Sequence, residues 1–315
     1  MDGGPGLTLP PDDPNWPRAS AWLAGDHVPE PDATLSVLGV PIRLGSISGG
    51  RFDLAPAAIR EALARYSTFT DGIDVLAVSV TDVGDLSVAE SKPQDALLDI
   101  VTGVRGGLRD ADVVALLGGD NSITAGGVRG LGELFDTDVG LVTLDAHHDV
   151  RDIDSGLTNG NPIRALLADG LPGENIVQIG IQPFANSARY ADVAREAGIT
   201  VVPVGEARSR GVEVVVGEAL DDLASRVEAI YVDLDLDVLD RAFAPACPGS
   251  RPGGLAPWEL QAAARRCGVH PSVKAIDLVE VDPTKDVADV TVLAAASFLL
   301  SFAAGVASRS MEGDA

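Results

Sequence analysis

The sequence predicts an α/β fold in which eight parallel strands alternate with helices, and three observations carry that prediction. Short apolar runs of strand length recur along the chain, each bounded by turn formers, with helix-like segments between them. Alternation of this kind demands parallel pairing with right-handed crossovers. Finally, dense acidic clusters fall at the ends of two of these runs, where α/β proteins place their sites.

Residues 1 to about 32 are rich in Pro, Gly and Asp, so an irregular arm is expected, with Trp16 and Trp22 pinning it to the body or to a neighbouring subunit. From Thr34 the pattern becomes regular, and with no internal repeat or low-complexity linker 33–315 is expected to form a single domain. The predicted strands are 35–40, 75–80, 113–117, 139–144, 176–181, 200–204, 230–234 and 273–279. The predicted helices are 56–66, 94–108, 122–134, 187–197, 212–226, 257–266 and 290–304. They cover both faces of an open sheet or the outside of a barrel. In either case the site sits at the carboxyl ends of the strands.

Composition narrows the function classes. Hydrophobic residues make up 46% of the chain and aromatic ones only 4%, so the core must be mostly Val, Leu, Ala and Ile. No apolar run reaches the eighteen or so residues of a membrane span, and the N-terminus lacks a basic region followed by an apolar core. A cytoplasmic protein is therefore the expectation. The net charge of −24, with lysine only at Lys92, Lys274 and Lys285, repels nucleic acid and anionic membrane. Such acidity suits a saline cytoplasm without proving one. Cys247 and Cys267 are too few and too far apart for a disulfide framework or a zinc knuckle.

The chemistry centres on residues 140–152, Gly-Leu-Val-Thr-Leu-Asp-Ala-His-His-Asp-Val-Arg-Asp. The run to Leu144 reads as a buried strand, and Asp145, His147 and Asp149 follow at its exit. Alternate residues of an extended chain share a side, so the three are expected to converge. A second run, Ala229 to Asp240, carries Asp233, Asp235 and Asp237 in the same spacing. Bare carboxylates crowded at buried strand ends lose hydration and repel one another, and a cation removes that cost. Two divalent cations would neutralise Asp145, Asp149, Asp235 and Asp237, which is the signature of a two-metal site.

Other residues are weaker signals. Gly118-Gly119-Asp120-Asn121-Ser122 reads first as a strand-to-helix turn and cap; beside the aspartates, Asn121 becomes a candidate ligand through its amide oxygen. His148 faces away from the cluster and is expected to pack or to make a contact behind it. Asp240 reads as a turn carboxylate, while His27 and His270 carry no local signal. Glu280 ends the eighth strand; turned toward the site, it would hold a cationic amidine or guanidine by paired hydrogen bonds.

Together these blocks resemble the ureohydrolase family of arginases, agmatinases and formimidoylglutamases. The match is spread over Gly39-Val-Pro, Gly50-Arg51, Pro56 to Arg60, Gly118-Gly-Asp, Asp145-Ala-His-His-Asp149, Asp235-Leu-Asp237-Val-Leu-Asp240, Glu280 and Asp289-Val-Thr291. The resemblance implies a three-layer α/β/α fold around an eight-stranded parallel sheet, a binuclear Mn2+ centre, and trimers or hexamers. One metal would take Asn121, Asp145, Asp149 and Asp235; the other His147, Asp145, Asp235 and Asp237. The implied reaction is hydrolysis of a C–N bond at an amidine-like carbon by a metal-bridging hydroxide, with Asp149 moving protons and Glu280 steadying the nitrogen cation.

Two departures from the family pattern matter. Asn121 stands where a histidine ligand is usual, so that metal site should be weaker or empty. Asn159 stands where arginases and agmatinases carry a histidine implicated in proton transfer. Arg151 and the run Arg251-Pro-Gly-Gly-Leu255 look like the formimidoylglutamase branch, whose diacid substrate needs cations. Arg43, Arg51, Arg151 and Arg164 are available, and Arg151, Asn159 and Arg164 form the expected substrate-binding set. The expected reaction converts N-formimidoyl-L-glutamate to L-glutamate and formamide, a step of histidine degradation. An agmatinase or guanidino-acid hydrolase, a zinc deacetylase and a non-catalytic paralogue are the alternatives.

Overall fold

The apolar runs assemble into one eight-stranded sheet in the computed structural model, which describes residues 11, 13–25, 33–134 and 139–309. In chain order the strands are β1 (Ala33–Val40), β2 (Phe69–Thr70), β3 (Ile73–Asp74), β4 (Val78–Asp85), β5 (Val113–Gly118), β6 (Val139–Leu144), β7 (Ile176–Ile181), β8 (Thr200–Pro203), β9 (Ala229–Asp235) and β10 (Val273–Val279). β2 and β3 pair only with each other, as a short antiparallel hairpin. The other eight lie in the order β4-β1-β5-β10-β9-β6-β7-β8, and every neighbouring pair is parallel.

The helices are α1 (Ala19–Leu23), α2 (Ala55–Ala62), α3 (Pro93–Asp110), α4 (Ile123–Gly132), α5 (Pro162–Ala168), α6 (Ala188–Ala197), α7 (Val204–Arg210), α8 (Val212–Ala224), α9 (Pro257–Val269) and α10 (Val290–Ala307). They form two layers because the inner strands bury both of their faces. Along β5, Val113, Ala115 and Leu117 enter a core shared with α2, α8, α9 and α10. Val114 and Leu116, in between, enter a second core with α3, α4, α5 and α6. The open three-layer sheet is thus the architecture, and a barrel is excluded.

Several local expectations need correction. The run 75–80 does not begin a strand at Val75: Asp74 accepts a hydrogen bond from the Leu76 N–H at 3.1 Å and caps a 3-10 turn, so β4 starts at Val78. α5 and α7, seven residues each, escaped prediction because they are too short for a helical period to show. α10 is an 18-residue apolar helix of mean hydropathy 2.1, long enough to cross a membrane by composition, contrary to the expectation that no run reaches that length. It is 78% buried, a core helix lying against α9. That approach needs paired glycines, since a Cβ on Gly268 would lie 2.1 Å from the Phe302 carbonyl oxygen and one on Gly305 would lie 2.2 Å from that of Arg265.

In the expected arm, residues 19–23 are helical rather than irregular, because this turn packs its apolar side inward. Trp22 is fully buried and donates its Nε1–H to the Val78 carbonyl at 2.9 Å. Trp16, the other tryptophan expected to pin the arm, is only half-buried, with the Arg18 guanidinium 5.4 Å over its ring; residues 1–10, 12 and 26–32, with His27, lie outside the described residues.

Candidate metal centre and active site

Four adjacent strands, β5-β10-β9-β6, deliver the acidic residues, so segments far apart in sequence meet at one edge of the sheet. β5 leads to Asn121, β10 to Glu280, β9 to Asp235 and β6 to Asp145. At the β5 end the two glycines allow a close crossing. A Cβ on Gly119 would sit 1.8 Å from the Ile42 carbonyl oxygen, a position the 40–45 loop occupies. Asp120 ties that loop down by accepting the Gly45 N–H at 2.8 Å.

The convergence has a different cause from the expected strand alternation. β6 ends at Leu144, and residues 145–149 bend away from it. Asp145 Oδ1 accepts the N–H of His147 at 2.6 Å, and Asp235 Oδ1 accepts the N–H of Asp237 at 2.8 Å. Each aspartate thereby closes a turn on the backbone two residues ahead, curling its successor back over the strand end. Asp149 and Glu280 complete the curl at φ of 51° and 67°, left-handed conformations that are uncommon for such residues.

Asp145, His147 and Asp237 each offer a ligand atom, all within 4.8 Å of one another. His147 Nδ1 lies 2.9 Å from Asp237 and 3.4 Å from Asp145. Asp149, Asp235 and Glu280 line the same cavity, of about 180 Å³, with Asn159, Arg151 and Arg251. Glu280 Oε1 accepts the backbone N–H of Asn121 at 2.8 Å and the Asn159 amide at 3.0 Å. Asn121 is buried behind this wall; its Nδ2 donates to Asp149 at 2.8 Å and its Oδ1 lies 2.6 Å from the Thr124 hydroxyl.

Electrostatics shows what the cluster lacks. Burial, and then repulsion from Asp237, raises the Asp145 carboxyl to about 7. Burial also holds Asp149 and Asp235 well above the usual carboxylate range, with neighbouring aspartates adding to it. Glu280 rises to about 8, first through burial and then through Asp120. His147 is driven up to about 12: burial opposes its charge, but Asp237 and Asp145 outweigh it. Asp237 alone is lowered, since His147 overcomes its burial. Oxygen donors with one imidazole, buried and short of positive charge, fit hard divalent cations.

The partners of the remaining residues define their places. His148 is buried against Gln178 at 2.7 Å, and burial lowers its pKa, so it stays neutral behind the site. Asp240 accepts the Ala242 and Gly253 N–H groups, as a turn carboxylate does. Asp233 does not face the cavity with Asp235; it pairs below with Asp277 on β10. Arg164 is turned away, bonding the Val150 carbonyl at 3.2 Å and reaching Asp152 at 3.7 Å. Arg43 and Arg51 are held by Glu90 and Asp53. Asn159 is in the cavity wall, but it spends Oδ1 on the Ile47 N–H and Nδ2 on Glu280. The sequence reading assigned no role to Arg251, although the unusual Arg-Pro-Gly-Gly run was its signal.

Known proteins agree with this geometry. A family model described as the arginase family matches residues 33–305. The chain is 34% identical over 282 residues to formimidoylglutamase of Halalkalibacterium halodurans, covering 87% of this chain and 88% of that one. It superposes on the crystal structure of Bacillus subtilis formimidoylglutamase with a TM-score of 0.86 at 31% identity, over 96% of this chain and 95% of that one. Trypanosoma cruzi formiminoglutamase, solved with Mn2+, gives 0.84 at 25% identity, over 93% of this chain and 99% of that one. The chain belongs to the arginase family.

Proposed function

We propose that this protein is a formimidoylglutamase, hydrolysing N-formimidoyl-L-glutamate to L-glutamate and formamide with two Mn2+ per subunit. The observation that carries the reading is Glu280: a buried carboxyl, raised to about 8 by burial and then by Asp120, on the wall of the cavity that Asp149, Asp235 and Asp237 also line. A protonated amidine supplies a cationic partner through paired hydrogen bonds. The likeness to formimidoylglutamases along most of the chain supports this substrate.

One cation is assigned to Asn121, Asp145, Asp149 and Asp235 and the other to His147, Asp145, Asp235 and Asp237, with Asp145 and Asp235 shared. Such a pair of cations, when bound, lowers the pKa of a water between them to near neutrality. Asn121 serves as an oxygen ligand if its amide turns by half a rotation, which brings Oδ1 to the side where Nδ2 now bonds Asp149. Nδ2 then donates to Thr124, which lies 2.8 Å from Asp277 and can pass its own hydrogen there. Glu280 holds the amidine, and Asp149 takes the proton of the attacking water and delivers it to the departing amine of glutamate. Asn159, between Ile47 and Glu280, positions the carboxylate for this contact.

Residues 33–315 are read as one catalytic domain, working in the cytoplasm as a trimer or hexamer on a small-molecule substrate. An assay of formimidoylglutamate, agmatine, guanidinobutyrate and arginine at matched Mn2+ tests the function. Formamide from the first substrate alone is expected, and urea from agmatine would replace this reading with an agmatinase.

A further inference from the structure

Resting on the proposed function, we infer that Arg251 and Arg151 form a two-pronged clamp, one guanidinium for each carboxylate of the diacid. Five arginines surround the strand ends, and their partners separate them. Arg43 and Arg51 are each held by a carboxylate through paired bonds of 2.6 to 3.3 Å, and Arg164 is bonded to the backbone of Val150. Arg151 and Arg251 line the cavity itself, and among the described residues neither has a carboxylate partner.

Local sequence aims both. A Cβ on Gly160 would stand 2.6 Å from Cδ of Arg151, so the bare glycine is what lets that side chain lie across the cavity wall. Arg251 curls inward, with Nη1 2.6 Å from the Gly249 carbonyl and 2.8 Å from Nε2 of His147. These contacts hold the Arg251 guanidinium at the cavity wall.

The charge pattern discriminates between ligands. The floor is acidic and takes the amidine cation through Glu280, while the two guanidiniums take carboxylates in forked pairs. The primary ammonium of agmatine would meet two like charges at the rim.

The test uses the Mn2+-loaded protein and three substrates: N-formimidoyl-L-glutamate, N-formimidoyl-L-norvaline, which lacks the side-chain carboxylate, and N-formimidoyl-4-aminobutyrate, which lacks the α-carboxylate. Arg251→Met and Arg151→Met should each raise KM for the diacid roughly tenfold to a hundredfold while kcat stays within about threefold. Each variant should also lose the preference for the diacid over one of the two analogues, a different one for each arginine. If Arg251→Met fails to fold, Arg251→Lys carries the same test, because a point charge loses the forked pairing. Variants that keep the wild-type ranking of the three substrates, or that slow all three equally, would overturn the clamp while leaving the activity standing. Wild-type protein that hydrolyses none of the three would overturn the function and the clamp with it.

Discussion

Two acidic clusters lie one layer apart at the same sheet edge, and they meet burial in opposite ways. The upper one, Asp149, Asp235, Asp237 and Glu280 with Asp145 beside Asp237, faces a cavity and has only His147 as counter-charge. Below it, Asp233 and Asp277 sit side by side in register on β9 and β10, both fully enclosed. There the protein provides donors: Tyr231 and Thr124 each reach Asp277 Oδ2 at 2.8 Å. Asp233 stays well above the usual carboxylate range, through burial and then the charge of Asp277, so that it holds a proton between the two. Two carboxyls sharing a proton need no metal, whereas five carboxyls around a cavity do. The same residue type two positions apart on one strand thus has opposite requirements.

The largest expected effect follows from exchanging one residue in each layer. Asp235→Asn should remove both Mn2+ ions and lower activity by several orders of magnitude, because the water loses the cations that acidify it. Asp233→Asn should keep both ions and leave its main mark on thermal stability, since the amide replaces a group that already carries hydrogen. Metal content by elemental analysis, beside turnover, separates the layers. An active Asp235→Asn protein would refute the shared-ligand role.

The second effect is a stability difference that depends on pH. In the metal-free protein Asp145 and Glu280 titrate at about 7 and about 8, far above their unfolded values, and Asp149 and Asp235 are shifted the same way. The folded state therefore binds more protons than the unfolded one between roughly pH 4 and 8, and its stability falls as pH rises through that window. His147, raised to about 12, continues the loss above its unfolded value. Asp237, lowered, opposes the trend only at acid pH. Melting in chelator should thus decline from pH 5 to pH 8, while the Mn2+-loaded protein stays nearly level. A flat profile in chelator would mean that the aspartates are solvated or paired in some other way.

The contrast also explains what was legible from sequence. The order of strands and helices was, because apolar runs of five to eight residues separated by turn formers admit few architectures. The identity of the acidic cluster was too, since Asp145, His147 and Asp149, and Asp235 and Asp237, lie within a few positions of one another. The means of convergence was not, because an Asp-x-Asp spacing reads equally as strand alternation or as a side chain closing a turn. Nor could sequence separate Asp233 from Asp235, whose difference is a neighbour 44 residues away on β10. The arginines divide for the same reason. Arg151 lines the cavity, as expected, whereas Arg43 is held by Glu90 and, among the described residues, Arg251 lacks a carboxylate partner only once the chain has folded.

Asn121 gives the smallest effect and the sharpest view of the boundary between the layers, for its amide touches both. Nδ2 bonds Asp149 above, and Oδ1 meets Thr124, which in turn reaches Asp277 below. Replacing it with histidine substitutes an imidazole nitrogen for a neutral oxygen, a better donor for a first-row divalent ion, without altering the charge balance. Asn121→His should tighten the weaker of the two Mn2+ sites by about tenfold, worth about 1.4 kcal/mol, with activity retained. Titration calorimetry with Mn2+ reads the change directly. If the weaker affinity is unchanged, position 121 serves the buried layer through Thr124 rather than the metal, and Asp149 must hold its cation without help from β5.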